Sequence, residues 1–231
     1  MKILGVSLIG YREWTESLGY DREWKIQIVQ SSLVRSLMEV CHKVEAFPLP
    51  LRYDSFLVIV DGVSKDDILR IIDGIKMISP VRVKACLEYG KTPREAQEKA
   101  SRCLNESSED VVLREYKDEN VVSVHFDLNG FTEISRKDSI YNTFIYMMDI
   151  YVKIAKFIYN LGGIIQYLGG DNILGFLNET NLEEILTLIK YNLKIGIGIA
   201  KTPVKAVSLA AEALDEIRRN RERLWLIKRS Y

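Results

Sequence analysis

With 231 residues, 47% of them hydrophobic, the chain has enough apolar side chain for one large core or for two of roughly 110 residues each. Lys plus Arg and Asp plus Glu both number 32, so the formal net charge is zero and no basic field exists to hold a nucleic acid. No apolar run approaches the roughly 18 residues of a membrane span, and the opening MKILGVSLIG, broken by Gly5, Ser7 and Gly10 without a small-residue cleavage pattern, reads as a strand and not a signal peptide. A cytoplasmic protein with no nucleic-acid or membrane partner is expected.

The first strand, LGVSLIG from Leu4, leads to a loop and helix carrying Trp14 and Trp24, read as buried packing. Cys41-His42 falls on a helix end. LRYDSFLVIV, Leu51 to Val60, carries Arg52, Tyr53 and Asp54 at a turn. Val81 to Leu104 reads as strand, turn and helix, with Thr92 as N-cap and Pro93 at the first helical position. Cys41, Cys86 and Cys103 are an odd, scattered set; they are expected to be small buried hydrophobes and not a disulfide framework. The polar stretch NESSED, Asn105 to Asp110, follows as a linker.

The second half repeats the first. Lys-Thr-Pro-x-x-Ala-x-x-x-Ala occurs from Lys91 and again from Lys201, an offset of 110. LRYDSFLVIV matches LGGDNILGFL, Leu168 to Leu177, at an offset of 117, with Asp54 opposite Asp171. LGVSLIG resembles VSVHFDLNG from Val122 at an offset near 118, which sets Ile9 opposite Asp127. Strands are expected at Asn120 to Asp127, Gly163 to Leu168, Ile173 to Leu177, Leu193 to Ala200 and Leu224 to Arg229. Helices are expected at Ser139 to Leu161, Leu182 to Tyr191 and Pro203 to Arg221. The strand, helix, strand, strand, helix, strand order predicts an α+β fold of two tandem ferredoxin-like domains, residues 1–110 and 118–231. Each would have an antiparallel sheet with helices on one face and the other face open.

Alternation along VVSVHFD puts Val122, Val124 and Phe126 toward the helices and Ser123, His125 and Asp127 on the open face. Asp127 ends its strand and Asp171 sits in the adjacent hairpin turn, so both carboxylates reach one edge of the sheet. Two carboxylates, with the Leu128 carbonyl, suit Mg²⁺ carrying phosphate oxygens. Gly169 and Gly170 permit positive φ and a close phosphate approach. A Gly-Asp-Asn turn alone is usually only a hairpin; the strand-end Asp127 is what makes it a candidate site. His125 shares the face of Asp127 and is either a general acid or base or a strand histidine bonded across the sheet. The run Ile140 to Tyr159 has helical spacing and reads as core, and RRNRER, Arg218 to Arg223, reads as a solvated helix end.

Asp127-Leu128-Asn129-Gly130-Phe131-Thr132 resembles the Asp-Ile-x-Gly-Phe-Thr motif of class III nucleotidyl cyclases. Leu168-Gly169-Gly170-Asp171-Asn172 resembles their Gly-Asp hairpin and the turn of diguanylate cyclases. Along nearly the whole chain the sequence is similar to archaeal GTP cyclohydrolase III, a tandem duplication of such domains. The resemblance is carried by Gly-Gly-Asp-Asn, by Tyr11 with Trp14, by Arg52-Tyr53-Asp54 and by Gly196 to Ile199. It implies Mg²⁺-dependent hydrolysis of GTP to a formylamino-pyrimidine ribonucleotide monophosphate and two phosphates, activated by a monovalent cation such as K⁺ or NH4⁺. Asp127 and Asp171, with the Leu128 carbonyl, would hold the metal. Gly169, Gly170, Asn172, Asn129, Arg52, Asp54 and Tyr11 would contact the nucleotide. Where the family has an Asp at the end of the first strand, Ile9 stands here.

The chain lacks the clustered Cys and His that a zinc cyclohydrolase needs, so no zinc is expected. A homo-oligomer is the expected assembly. Two other functions remain open: a nucleotidyl or diguanylate cyclase using the same carboxylates, and a catalytically degenerate nucleotide-binding module.

Overall fold

The computed structural model describes residues 1–220 and 223–230. It divides the chain into two compact units, Met1–Lys91 with Glu95–Glu119, and Thr92–Arg94 with the chain from Asn120 onward.

Unit 1 runs β1 (Lys2–Ile9), α1 (Tyr11–Ser17), α2 (Arg22–Lys43), β2 (Phe47–Arg52), β3 (Ser55–Ile59), α3 (Lys65–Ile78), β4 (Arg82–Tyr89), α4 (Pro93–Glu106) and β5 (Val111–Leu113). Its sheet has the order β2-β3-β1-β4-β5, antiparallel except for the β4–β5 pair. The first four strands are therefore the ferredoxin-like plait. Helix α4 and strand β5, which lies past the expected boundary at residue 110, extend it.

Unit 2 repeats the order: β6 (Val121–Leu128), α5 (Phe131–Lys137), α6 (Ile140–Asn160), β7 (Ile164–Gly169), β8 (Asn172–Leu177), α7 (Leu182–Leu186), β9 (Leu193–Ala200), α8 (Pro203–Asn220) and β10 (Trp225–Arg229). The sheet order is β10-β9-β6-β8-β7, with β10 parallel to β9. The expected helix Leu182 to Tyr191 is short, because α7 gives way to a 3₁₀ turn at Thr187–Tyr191. The last expected helix and the RRNRER tail include residues 221 and 222, which lie outside the described residues.

Each core follows from period matching. Val122, Val124, Phe126 and Leu128 alternate along β6 and meet Met147, Ile150, Ile154 and Ile158, spaced at three and four along α6. Each such side chain contributes about 2 kcal/mol on burial. The Ser139 hydroxyl opens α6 by accepting the Asn142 N–H at 3.2 Å. The run Ile140 to Tyr159 is core on one face only. Ile140, Tyr141, Phe144, Ile145 and Val152 point outward, and Trp24, expected to be buried, is 76% exposed.

The sheet face expected to be open is covered. In unit 2, α8 lies directly on β9, where a Cβ at Gly196 or Gly198 would stand 2.2 or 1.9 Å from the carbonyls of Ala210 and Ala206. In unit 1, Gly5 of β1 meets Ala100 and Leu104 of α4. The Ala spacing shared by the two helices allows this close approach, so each sheet has helices on both faces.

That packing also joins Cys86 on β4 to Cys103 on α4 in a disulfide, against expectation. Cys86 faces the contact because Ala85 and Leu87 take the other side of β4. Cys41 is buried and free, its thiol pushed up to about 12 by burial. Among the described residues no helix is long and apolar enough to cross a membrane.

Strand register corrects the alignment of the halves. Ser7 pairs with Lys84, as Asp127 pairs with Lys194, and Lys84 and Lys194 are equivalent at the offset of 110. Gly10 and Gly130, at φ 81° and 73°, each begin the following helix. The first strands therefore match at an offset of 120, and Ser7, not Ile9, holds the place of Asp127. Ile9 matches Asn129.

Candidate functional site

In unit 2, β6 ends at a cavity of about 760 Å³ lined by Asp127, Leu128, Asn129, the first turn of α5, Asp171, Lys194, Arg218 and Arg223. Asp127 reaches it from the face shared with Ser123 and His125, and only 5% of the residue is exposed. The turn between β7 and β8 brings Asp171. Gly169 and Gly170 take φ of 106° and 59°, as the turn requires. A register shift lets Gly169 pair with Asn172, and the Tyr167 hydroxyl holds the Gly170 carbonyl at 3.0 Å.

The two carboxyls interact directly. Burial raises the Asp171 carboxyl above the ordinary range, and the neighbouring Asp127 carboxyl raises it further. Arg218, in the last turn of α8, donates to Asp127 Oδ1 and, at 3.2 Å, to Asp215. The Arg218 guanidinium is held further up by the Asp127 contact. Lys194 Nζ stands 3.8 Å from Asp127 Oδ2. Among the described residues no three His, Cys, Asp or Glu gather as metal ligands. The donor set is two carboxylates whose mutual repulsion a hard dication would relieve, which fits Mg²⁺ sharing its shell with phosphates and water.

His125 sits across from the turn. Its Nε2 and Asn172 Oδ1 are 3.2 Å apart, and the Asn172 amide in turn donates to the Gly169 carbonyl at 3.3 Å. Because Oδ1 only accepts, the imidazole proton is on Nε2. Nδ1 is buried and has no partner among the described residues. Burial lowers the pKa of His125, against the pull of Asn172 and Asp127, so the ring is neutral. Asn129 follows β6, its N–H donating to the Asn192 carbonyl at 2.9 Å.

Arg52, Asp54 and Tyr11 lie in unit 1. Arg52 and Asp54 pair at 2.7 Å, the Asp54 carbonyl accepts the Leu8 N–H at 2.9 Å, and the Tyr11 hydroxyl accepts from Gln30 at 3.0 Å. A cavity of about 270 Å³ there is lined by Ser7, Arg52, Ser55, Gln97, Ser101 and Asn105. Its lining shares one equivalent position with the unit 2 cavity, Ser7 where unit 2 has Asp127, and holds no carboxylate.

The model of the family described as GTP cyclohydrolase III matches residues 3–229. The chain belongs to the GTP cyclohydrolase III family. A relative of that name from Saccharolobus solfataricus is 45% identical over 227 residues, 97% of this chain and 98% of that protein. One from Saccharolobus islandicus is 43% identical over the full length of both, and one from Sulfurisphaera tokodaii is 41% identical over 96% of each. The solved structure of a bacterial light-regulated adenylyl cyclase aligns with 98% of this chain and 85% of that chain at 13% identity and a TM-score of 0.40, too distant to bear on chemistry.

Within this family member, sequence reasoning missed Arg218, Lys194 and Arg223. Arg218 belonged to a charge run read as solvated. Helix length held the missing signal. Eighteen residues of α8 rise about 27 Å, and the eight residues of β9 span about 26 Å. A helix returning from the end of β9 therefore brings its last turn back over Lys194, where Asp127 is paired.

Proposed function

We propose that this chain, like the relatives named GTP cyclohydrolase III, acts on GTP by hydrolysis, and that the reaction opens the imidazole ring at C8 to a formylamino-pyrimidine ribonucleotide monophosphate and releases two phosphates. The observation that carries the reading is the convergence of Asp127 and Asp171 at one sheet edge, in a chain matched to the family almost end to end. Asp127 and Asp171, with the Leu128 carbonyl, would hold Mg²⁺, which when bound supplies charge neutralisation at the triphosphate and activates water. Gly169 and Gly170 leave the turn bare, so phosphate oxygens approach the backbone. His125 commits its one proton to Asn172 and serves in this reading to position the turn, not to transfer protons. Asn129 lines the same cavity as the metal carboxylates. Arg52, Asp54 and Tyr11, carried by unit 1, would contact nucleotide, K⁺ or NH4⁺ is the activator, and the assembly is a homo-oligomer.

Purified protein incubated with GTP, Mg²⁺ and K⁺, with products followed by mass, tests this. A ring-opened monophosphate with two phosphates is expected. A cyclic nucleotide or dinucleotide, or unchanged GTP, would overturn it.

A further inference from the structure

The charges around Asp127 balance before any ligand arrives. Among the residues that line the cavity, Asp127, Asp171 and Glu133 bring three negative charges when ionised, and Arg218, Lys194 and Arg223 bring three positive ones. Arg218 is bonded to Asp127 Oδ1, one of the oxygens a metal would need, and Lys194 approaches the other at 3.8 Å. Asp127 is almost fully buried, so it cannot turn to solvent to gain a second partner. The Arg218 side chain is 44% exposed and lines the open cavity, so it can leave.

We propose that Arg218 is a stand-in cation: it holds Asp127 in the ligand-free protein, yields that oxygen to the metal, and transfers its guanidinium to the triphosphate that arrives with the metal. This rests on the metal assignment of the proposed function. A dication entering alone leaves the site with two excess positive charges in a partly desolvated cavity. A triphosphate carries about four negative charges, so arriving with the metal it removes that excess and leaves the cavity about two charges negative, with Arg218 and Lys194 facing phosphate oxygens. A planar guanidinium suits both partners, since it bonds carboxylate and phosphate in the same forked geometry. Asp215, one turn before Arg218 and 3.2 Å from it, keeps the side chain at the cavity as it changes partner. Metal and nucleotide binding are thereby coupled: each is weak alone and each strengthens the other.

The test is Mn²⁺ binding to the full chain, followed by electron paramagnetic resonance, with and without a non-hydrolysable GTP analogue. Arg218→Gln is expected to bind Mn²⁺ about tenfold tighter without nucleotide, because a positive charge a few ångströms from the metal is gone. With Mn²⁺ present it should bind the analogue at least tenfold more weakly. Arg218→Lys should restore most of the wild-type metal affinity. A merely structural Arg218 would lower both affinities or leave the metal affinity unchanged, and either result overturns the proposal. Should Arg218→Gln fail to fold, Lys194→Met tests the same charge balance and must also tighten Mn²⁺ binding. Asp127→Asn separates the two ideas. If it binds Mn²⁺ as the wild type does, the metal assignment itself fails, and this proposal with it.

Discussion

Replacing Gly198 with Ala tests whether α8 rests directly on β9. The new Cβ would lie 1.9 Å from the Ala206 carbonyl oxygen, 2.6 Å from the Ala210 nitrogen and 2.9 Å from Leu209 Cβ. Two of these obstacles are helix backbone, which cannot swing aside as a side chain can. An ordinary contact needs about 3.5 Å, so the helix must retreat by about 1.5 Å, a gap that forfeits half or more of the dispersion energy at each contact it opens. The inner face carries Pro203, Ala206, Leu209, Ala210, Ala213, Leu214 and Ile217, all buried. Overpacking of a core costs about 1–3 kcal/mol where side chains can adjust. With backbone as the obstacle, a loss of about 4 kcal/mol is expected, a large part of the ~5–15 kcal/mol that stabilises a typical domain. Urea denaturation followed by circular dichroism measures it, with Gly175→Ala as the control. There the nearest atom is 3.5 Å away and the change should cost less than about 1 kcal/mol. If Gly198→Ala also loses less than about 1 kcal/mol, α8 does not pack on the strand as described, and the placement of Arg218 beside Asp127 loses its support.

Asp171→Asn should fold normally and lose at least about a hundredfold in GTP turnover, as expected when a metal ligand is removed; wild-type kinetics would refute its role. Gly169→Ala meets no neighbouring atom but forces a side chain to φ 106°, so a cost of about 1–2 kcal/mol from backbone strain alone is expected in the same denaturation assay. Thiol titration should find no reactive cysteine in the folded protein, one after unfolding without reductant and three after reduction, because Cys41 is buried and Cys86 is bonded to Cys103. Reduction should cost about 3 kcal/mol, as expected for closure of a loop of this length, 17 residues. Burial alone would raise the Asp118 carboxyl, but the Lys2 ammonium and the Gly62 N–H outweigh it and hold it below the ordinary range. Its stabilisation is therefore present above pH ~4, its unfolded pKa, and is lost as pH falls through the lower folded value. The stability gap between wild type and Asp118→Asn should shrink as pH drops from 7 toward 3, and a constant gap would refute the pairing.

Local pattern made the elements of unit 2 legible. Leu193–Ala200 was delimited to the residue, and the strand-end Asp127 and turn Asp171 were paired from alternation and hairpin geometry alone. What escaped was set by contacts distant in sequence. Periodicity shows that a helix has an apolar face, but not which sheet face it covers, so α4 and α8 were missed as lids over the second face. The disulfide went with them, since Cys86 and Cys103 meet only once α4 lies there. The displaced alignment of Ile9 had a different cause. Two apolar strands match almost equally well at offsets of 118 and 120, and only the hydrogen-bonded partner, Lys84 for Ser7 and Lys194 for Asp127, decides between them.

The corrected register also shows what the second unit gives up to keep a polar site. At the offset of 120, Gly5 is the counterpart of His125, and a Cβ at Gly5 would already stand 3.1 Å from both Ala100 Cβ and Leu104 Cδ1. In unit 1 the helix occupies the space that an imidazole needs. Unit 2 shifts its closest approach to β9, onto Gly196 and Gly198, and leaves room over β6 for Ser123, His125 and Asp127. Two polar atoms there, Ser123 Oγ and His125 Nδ1, are buried without partners among the described residues, and such groups cost about 1–3 kcal/mol each. Unit 1 has no such row on β1, and at the positions equivalent to Gly196 and Ala213 of unit 2 it has the Cys86–Cys103 bond. The same duplicated helix and strand thus settle one unit toward close packing and a covalent tie, and the other toward a costly polar strand that ends at the metal-type carboxylates.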